Sequence, residues 1–370
     1  MSDDTFTTIA RGVVGDDSAT LVGTPIFDEI TTSHNDQRTI GIVKVSGTAV
    51  SVRHGSHHNW SSVVKIIDQS IPANVAAAWG FPENEQKIYE MALFTDDGLP
   101  LRPARCYLSQ TIEENIVLLW LEDLTNTPQP PWTLQHFINA ANHLGQFNGY
   151  HSVNDTELPI EITRNAFHLR ASASPFKSNF AEVVEKIDST AVREAYVETP
   201  VESGMELASV FEKALEAAKL LPHSLAFGDS HSRNLFPVES ETVGIDWASV
   251  AFDPIGVDVG VLIGSALTYG LEEAQLISRN ERPVFDSYVS GLQSSGWVGD
   301  LKNVRLGFFA QFAGYLSIVG TIPVKLEQYK QRRAFLEKRL GVALEDVPKH
   351  VAPVIALIPG YVAELRQLLD

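Results

Sequence analysis

The segment from Leu225 to Asp246 contains the residues whose types and spacing can do chemistry. Its sequence is LAFGDSHSRNLFPVESETVGID, in which an apolar run ends at Gly228, Asp229 follows, and Asn234 comes five positions later. A second short apolar run leads to Asp246. A carboxylate can accept the proton of a substrate hydroxyl, and carboxylate and amide oxygens are the ligands that Mg²⁺ prefers. The set therefore suits phosphoryl transfer from ATP, which depends mainly on positioning and charge neutralisation.

Each member of this set also has an ordinary structural alternative. An aspartate often caps a turn, and an aspartate followed by an asparagine five positions later occurs by chance in most proteins. The combination is rarer, because here an apolar strand, Gly-Asp, the asparagine, a hairpin and a second aspartate follow one another. The order of these features favours a functional loop over isolated turn caps.

The run FGDSHSRNLF, followed by GIDW, resembles the catalytic signature of the aminoglycoside phosphotransferase and choline kinase-like family, which has a protein kinase-like fold. The resemblance implies an ATP-dependent small-molecule kinase. By it, Asp229 is the catalytic base, and Asn234 and Asp246 are the Mg²⁺ ligands. Asp258, in PIGVDVG, resembles a structural aspartate of the family, and the alternatives for it are a brace for the catalytic loop and a plain helix cap.

A lysine and a glutamate upstream extend the resemblance. Lys65 lies in the middle of the apolar run SVVKII, where a lysine is hard to explain unless it is paired. Glu85 comes 20 residues later, in the first turns of the predicted helix PENEQKIYEMALF. Kinase-like enzymes hold the α- and β-phosphates with a strand lysine that a helix glutamate orients. The resemblance implies these roles for Lys65 and Glu85, with Glu83 and Glu90 as the alternatives for the glutamate.

The strand Ile116 to Leu121 and the residues after it resemble the hinge between the lobes of such enzymes. There the adenine of ATP would be bound by backbone groups, and the candidates are the Glu122 carbonyl and the Leu124 amide. A phosphate-covering loop is not assigned, because no G-x-G-x-x-G pattern is present among the available glycines, Gly41, Gly47 and Gly55.

The motif departs from the family pattern at one position, where Phe227 replaces the usual histidine before Gly-Asp. We expect this residue to pack under the catalytic loop. The change motivates an alternative function, a catalytically weak or inactive kinase-like protein that binds nucleotide and regulates. Transfer of a nucleotidyl group is a third possibility. His231 and Arg233 lie inside the loop and contact either the phosphate or substrate, or only solvent.

Composition limits the partners of the chain. Its 46 acidic and 28 basic residues give a formal charge of −18 over 370 residues, which excludes binding of nucleic acid or an anionic membrane through bulk electrostatics. The charge favours a neutral or cationic small molecule with a hydroxyl group as substrate. The single cysteine, Cys106, excludes an intrachain disulfide, and the acidic start is unlike a secretory signal. We therefore expect a cytoplasmic protein.

The elements that position these residues divide into two groups. The predicted fold class is α+β, a bilobal protein kinase-like fold. We predict a nucleotide-binding lobe over 1–124, with a leader over 1–37 that contains a short helix at most, and a catalytic and substrate-binding lobe over 125–370. The predicted strands cover 38–53, 62–67, 104–110 and 116–121, with a polar turn at 54–59 and a helix at 82–94. Helices are predicted over 134–150, 205–221 and most of 257–370.

One stretch requires a test for a membrane span. Residues 306–324 carry no charge over 19 positions, but they include Gln311, three glycines and a proline. We interpret the stretch as a buried helix of a soluble domain rather than a span. Gly320 and Pro323 are predicted to end that helix.

Overall fold

The computed structural model describes residues 2–30, 39–70, 80–95, 98–154, 158, 160, 162–172 and 179–370. Within these residues, an antiparallel sheet occupies the N-terminal part and helices dominate the rest. The predicted α+β class, with a β-rich N-terminal region and a helical C-terminal region, is confirmed.

Among the described residues, five strands form the N-terminal sheet, in the order β1-β2-β3-β6-β5. The strands of this region are β1 (Ala19–Glu29), β2 (Thr39–Ser51), β3 (His57–Asp68), β4 (Leu101–Pro103), β5 (Cys106–Glu113) and β6 (Ile116–Glu122). Successive side chains of a strand point to opposite faces. Val64 therefore packs with Trp60 and Trp120 in a small core on one face, while Ile67 and Leu119 join the main core on the other.

Two helices cover this sheet. Helix α1 (Asp3–Val14) places Phe6, Ile9 and Ala10 on the small core, because these positions fall on one side of a helix. Helix α2 (Pro82–Glu90) begins with a proline and has acidic residues in its first turn, as helix starts commonly do.

The expected leader over 1–37 was only partly right, because its described part contains strand β1 as well as a helix. Strand β1 was missed because most of its residues are exposed and its pairing with β2 is irregular between Val22 and Ile26, so it has no clean alternation. The predicted turn at 54–59 was also partly wrong. His57, His58 and Asn59 belong to β3, because they pair with Val50, Ala49 and Thr48 of β2.

The C-terminal region contains two small sheets within the described residues, in the orders β4-β10-β9 and β7-β11-β8. Their strands are β7 (Thr163–Arg164), β8 (His223–Ala226), β9 (Leu235–Val238), β10 (Glu241–Gly244) and β11 (Ala251–Pro254). The helices are α3 (Leu134–Val153), α4 (Ala166–Ala171), α5 (Phe180–Glu185), α6 (Thr190–Ala195), α7 (Glu202–Ala218), α8 (Val257–Tyr269), α9 (Leu271–Ser294), α10 (Leu301–Tyr329), α11 (Arg333–Leu340), α12 (Val347–Ile355) and α13 (Ile358–Leu369).

The domain boundary at residue 124 stays a prediction. Strand β4 lies before that residue in the chain, yet it pairs with β10, which lies after it.

Two stretches of the described chain are long and apolar enough to cross a membrane by length and composition. In Leu301–Leu326, 89% of an apolar 18-residue window is buried inside the protein, as expected for a core helix. In Leu344–Leu369 the corresponding share is 33%, and this stretch includes a turn between α12 and α13. The predicted end of the first helix was wrong, since α10 continues past Gly320 and Pro323. Tyr196 donates a hydrogen bond of 2.7 Å to the Gly320 carbonyl, and this contact supports the helix there.

Candidate active site

Lys65 and Glu85 form a buried ion pair between β3 and α2. The Lys65 Nζ donates to both carboxylate oxygens of Glu85, at 2.9 and 2.8 Å, and the two side chains are only 10% and 2% exposed. Burial alone would lower the pKa of Lys65, but the carboxylates of Asp246 and Glu85 outweigh it and raise that pKa above its usual value. Lys65 is therefore a fixed, charged ammonium.

Asp246 lies beside the same ammonium. Its Oδ1 is 3.1 Å from the Lys65 Nζ, and its side chain is 25% exposed. Its backbone has a φ of 62°, in the left-handed region, where aspartate is one of the few tolerated non-glycine residues. Such conformations cluster at functional sites. The Trp247 indole stabilises the turn by donating a hydrogen bond of 2.9 Å to the Gly244 carbonyl.

The turn after Asp246 is attached to the start of α2. The Phe81 N–H donates to the Ala248 carbonyl at 2.9 Å, and Gly80, with a φ of 104°, approaches the same carbonyl so closely that a Cβ would lie 2.2 Å from its oxygen. Helix α2 and the turn therefore hold Glu85 and Asp246 on the two sides of Lys65.

The loop between β8 and β9 places Asp229 and Asn234 together. The Asn234 Nδ2 donates to Asp229 Oδ2 at 2.9 Å and to the Asp229 carbonyl at 3.2 Å. The Ile245 N–H donates to the Asn234 carbonyl at 2.9 Å, so the loop is joined directly to the residue before Asp246. The side chain of Asp229 is 35% exposed, which leaves it accessible to a substrate.

Asp258, which is 1% exposed, braces this loop from α8. Its carboxylate accepts hydrogen bonds from the Phe227 and Gly228 N–H groups, at 2.8 and 2.9 Å, and from Asn148 Nδ2 at 3.0 Å. Burial raises the pKa of Asp258, and the hydrogen bonds from Asn148 and the two backbone groups oppose that effect. Of the two alternatives from the sequence, the structure shows the brace.

Phe227 packs under the loop as expected. It is fully buried, and its ring meets the Trp247 ring edge to face with 4.6 Å between the centroids. The next residue must be glycine, because Gly228 has a φ of 86° and a Cβ there would lie 2.1 Å from the Ser249 carbonyl oxygen. Phe227 thus serves loop packing and does not reach the polar groups of the site through its side chain.

His231 faces Asp229, not solvent. It is 9% exposed, and its Nε2 is 3.5 Å from Asp229 Oδ2. Its Nδ1 accepts a hydrogen bond of 3.2 Å from the Arg233 N–H. Since Nδ1 is the acceptor, the proton of a neutral His231 ring lies on Nε2, which directs it at the carboxylate. The structure thus places His231 against Asp229 rather than in solvent, and it leaves the side chain of Arg233 half-buried.

The predicted hinge residues lie at the end of β6. The Leu124 carbonyl accepts from the Thr127 N–H at 3.1 Å, and Leu124 itself is buried. The carboxylate of Glu122 is bound by Arg102, at 2.9 and 3.3 Å. The predicted adenine contacts of Glu122 and Leu124 use backbone groups only, so they stay predictions.

Two charged residues near the hinge were missed from the sequence. Lys44 of β2 forms an ion pair of 2.8 Å with Asp123, which also accepts from the Ser61 hydroxyl at 2.6 Å. Burial alone would raise the pKa of Asp123, but these hydrogen bonds lower it to about 2. Arg102 of β4 is the second missed residue. Neither has a local sequence signal, because each partner lies on a different strand or loop.

A buried glutamate on α9 was also missed. Glu273 is 2% exposed, and its carboxylate accepts from the Trp132 N–H at 2.9 Å and from the Ser232 hydroxyl at 3.2 Å. It therefore connects the proline-rich segment after the hinge to the loop that carries Asp229. An acidic residue in the first turn of a helix is common, so its spacing alone marks no special role.

A small cleft brings the upstream residues together. It is lined by Thr39, Lys65, Ile67, Pro82, Glu85, Asp246 and Ala248. The structure thus places three of the predicted site residues in one cleft, and it places Asp229 and Asn234 in the adjoining loop.

The donor set fits Mg²⁺ bound together with a nucleotide. The described residues contain no group of three or more His, Cys, Asp or Glu side chains able to hold a metal alone. Mg²⁺ is commonly bound by one or two protein oxygens together with waters and substrate phosphates. The Asn234 amide directs its NH₂ at Asp229, so the oxygen of that amide is the atom oriented away from Asp229. Asp246 supplies a carboxylate that Lys65 orients.

No family model matches the sequence, and no curated protein matches it. Solved structures do resemble the chain. The spectinomycin phosphotransferase APH(9)-Ia, solved with ADP and spectinomycin, is 13% identical, with 98% of each chain covered and a TM-score of 0.48. An amicoumacin kinase, solved with AMP-PNP and Ca²⁺, is 10% identical, with 94% of this chain and 96% of that chain covered and a TM-score of 0.45.

A choline/ethanolamine kinase family protein from Mesorhizobium loti is 13% identical, with 86% of this chain and 91% of that chain covered and a TM-score of 0.40. These three solved structures are of small-molecule phosphotransferases, the group that the sequence motif resembles. The likeness is one of fold, and it leaves the role of each residue to the geometry described above.

Proposed function

We propose that the chain is an ATP-dependent phosphotransferase that phosphorylates a hydroxyl group of a small molecule. The observation that supports this best is the arrangement of Lys65 between Glu85 and Asp246, with Asp229 and Asn234 in the adjoining loop. A charged lysine fixed between two carboxylates is suited to a polyphosphate, because it supplies a positioned cation that does not depend on solvent for its orientation.

Asp229 is the proposed general base. Its carboxylate is one-third exposed, and Asn234 holds one of its oxygens. It would accept the proton of the substrate hydroxyl as that oxygen attacks the γ-phosphorus of ATP, the bond from that phosphorus to the β,γ-bridging oxygen breaks, and ADP leaves. Asp258 keeps the backbone of the loop in place during this step, because it bonds the two N–H groups just before Asp229. His231 would limit movement of the carboxylate through the proton on its Nε2.

The nucleotide would extend from the hinge to the loop. The Glu122 carbonyl and the Leu124 amide would contact adenine, and Lys65 would bind the α- and β-phosphates. Asn234 and Asp246 would hold Mg²⁺, which supplies neutralisation of phosphate charge when it is bound. The similar solved structures include one with AMP-PNP and Ca²⁺ and one with ADP.

The acceptor is proposed to be a neutral or cationic hydroxyl compound in the cytoplasm. The formal charge of −18 disfavours an anionic acceptor over long range, although salt screens this effect. Spectinomycin accompanies one similar solved structure, and another is named for the choline and ethanolamine kinases. Aminoglycosides, amino alcohols and sugars are therefore the first classes to assay.

The test is a turnover screen over such hydroxyl compounds with ATP and Mg²⁺. We expect at least one compound to gain one phosphate, as measured by mass spectrometry of the product. Asp286→Asn is the matched control, because that aspartate is 61% exposed on α9. The control retains turnover and Asp229→Asn loses it.

The screen also separates the two other possibilities. A gain of a whole nucleotide by the product identifies a nucleotidyl transferase instead. Phe227 motivates the regulatory alternative, in which ATP and Mg²⁺ raise the melting temperature but no compound is phosphorylated by the wild type across the panel. Either result contradicts the proposed function.

A further inference from the structure

Strand β4 completes the small sheet whose strands β9 and β10 adjoin the proposed metal ligands. It pairs in parallel with β10, with Arg102 opposite Val243. The pairing continues beyond both ends of β4, because the Thr242 N–H donates to the Pro100 carbonyl at 2.7 Å and the Ala104 N–H donates to the Gly244 carbonyl at 3.0 Å. Strand β4, which precedes the hinge in the chain, therefore forms a third strand beside the β9–β10 hairpin.

That hairpin sets the separation of the two metal ligands. Asn234 directly precedes β9, and Asp246 lies two residues after the end of β10. The Ile245 N–H closes the base of the hairpin by donating to the Asn234 carbonyl at 2.9 Å. Any movement of β10 relative to the N-terminal sheet thus moves Asp246 relative to Lys65.

The Arg102 side chain joins this hairpin to the hinge. Its Nη1 and Nη2 donate to the two carboxylate oxygens of Glu122, at 2.9 and 3.3 Å, and its Nε donates to Glu241 Oε2 at 2.7 Å. Glu122 ends β6, and Glu241 begins β10. The Arg102 side chain is 11% exposed, and its planar guanidinium can bind two carboxylates at once, which the single ammonium of a lysine does less well.

In the triad that Arg102 forms with Glu122 and Glu241, Arg102 and Glu122 both stay charged at neutral pH. Burial alone would raise the pKa of Glu122, but hydrogen bonds from Arg102 and from the Arg105 N–H, together with the charges of both arginines, hold it below its usual range. Glu241 is 43% exposed, so solvent screens its electrostatic attraction to Arg102. The stronger half of the triad is therefore the one at the hinge.

We propose that Arg102 is a positioning residue that couples the hinge to the metal-ligand hairpin, so that a purine nucleotide at the hinge and a divalent cation at Asn234 and Asp246 strengthen each other's binding. This inference rests on the proposed function. The physical basis is preorganisation: Arg102 removes freedom between the two halves of the site before either ligand binds. Coupling of this kind is reciprocal, so it can be measured from either ligand.

The first measurement is the factor by which Mg²⁺ tightens the binding of ATP, determined by calorimetry. We expect Arg102→Met to reduce that factor by about 10-fold, as for other groups that orient metal ligands. Arg102→Lys restores part of the factor, because an ammonium can still bind one carboxylate. Arg105→Met is the matched control, because it removes an equal charge near Glu122 from an exposed side chain that makes no hydrogen bond to the triad, and it leaves the bond from the Arg105 N–H to Glu122 in place. This control keeps the wild-type factor if the hydrogen bonds of Arg102, and not charge alone, carry the coupling.

The second measurement is hydrogen exchange of the protein without ligands. We expect Arg102→Met to speed exchange of the Thr242, Ala104 and Ile245 amides, whose hydrogen bonds hold β10 in place, relative to Arg105→Met. Glu241→Gln weakens the triad less, and both measurements can be made on it if Arg102→Met does not fold. It reduces the Mg²⁺ factor less than Arg102→Met does, because Glu241 is the more exposed partner.

The results separate the inference from the proposed function. A wild type that binds ATP more tightly with Mg²⁺, together with a folded Arg102→Met that keeps the same Mg²⁺ factor, overturns the inference and leaves the function intact. A wild type that binds no nucleotide overturns the function and the ligand coupling together. Unchanged exchange at Thr242, Ala104 and Ile245 overturns the positioning role of Arg102 whatever the ligands do.

Discussion

Replacement of Asp258 by asparagine tests how the loop that carries Asp229 is held. The carboxylate of Asp258 accepts from the Gly228 N–H with Oδ1, and from the Phe227 N–H and Asn148 Nδ2 with Oδ2. An asparagine has one acceptor oxygen, so its NH₂ group must face at least one of these donors. The less costly orientation turns the NH₂ towards Gly228, which loses the Gly228 bond and keeps the two bonds on the other oxygen. The Ser230 hydroxyl, 3.4 Å from Oδ1, can accept from the NH₂ instead of donating to that oxygen.

The expected loss in free energy of unfolding follows from the lost hydrogen bond to Gly228. A hydrogen bond to a charged group contributes about 1.5–3 kcal/mol, and a buried N–H group without an acceptor costs about 1–3 kcal/mol more. Removal of a buried charge offsets part of this loss, because burial disfavours the Asp258 carboxylate. We therefore expect the free energy of unfolding to fall by about 3 kcal/mol, measured by urea denaturation.

A second buried aspartate provides the control. Asp253 is fully buried and bonds Arg170 at 2.7 Å and the Phe167 N–H at 3.2 Å. Its charge acts on Asp258, but its carboxylate bonds neither Phe227 nor Gly228. Asp253→Asn should cost a similar free energy of unfolding, about 3 kcal/mol or more, since it breaks a buried ion pair. Phosphate transfer should fall by about 100-fold in Asp258→Asn and stay near the wild-type rate in Asp253→Asn.

Two results would refute this reasoning. One is a loss of less than about 1 kcal/mol in Asp258→Asn, which would mean that the bonds to Phe227 and Gly228 contribute little. The other is equal turnover in the two variants, which would mean that the brace supports stability without positioning Asp229.

Three further predictions concern single residues. Glu85→Gln keeps a hydrogen bond to Lys65 but removes the negative charge, so calorimetry should show that ATP binds at least about 5-fold more weakly. Unchanged affinity would contradict the role of the Glu85–Lys65 ion pair in holding the nucleotide. Gly228→Ala should lower the free energy of unfolding, measured by urea denaturation, by more than about 2 kcal/mol, because its Cβ would lie 2.1 Å from a backbone oxygen. Gly15→Ala should cost only about 1 kcal/mol, because Gly15 has a similar φ of 71° but open space around it. Burial lowers the pKa of His151 from 6.5 to about 4, so the unfolded chain binds the proton before the folded chain does as the pH falls. The free energy of unfolding should therefore fall by on the order of 2 kcal/mol between pH 6.5 and pH 4. Urea denaturation at these two pH values should show a smaller fall in His151→Phe than in the wild type.

The parts of the site with a local signature could be predicted from the sequence. A lysine inside an apolar strand needs a partner, and Glu85 is the partner that the structure shows, together with Asp246. The spacing of Asp229 and Asn234 places them in one loop, where they bond each other. Local spacing is informative here because one loop or one strand-to-helix unit supplies both members of each pair.

Contacts between distant segments could not be predicted in the same way. Arg102 meets Glu241 across 139 residues, and Glu273 meets Trp132 across 141 residues. No periodicity links such positions, since the packing of separate elements brings them together. The continuation of α10 past Gly320 and Pro323 has a similar cause, because the contact comes from Tyr196, the residue that follows the distant helix α6.

The rate of phosphate transfer in Asp229→Asn, relative to the wild type, tests the central claim most directly. The measurement uses ATP, Mg²⁺ and a hydroxyl compound that the wild type phosphorylates, with binding of ATP confirmed separately by calorimetry. A general base contributes about 10²–10⁴-fold, so the variant should bind ATP with wild-type affinity and transfer phosphate at least about 100-fold more slowly. Transfer by Asp229→Asn at the wild-type rate would contradict the account.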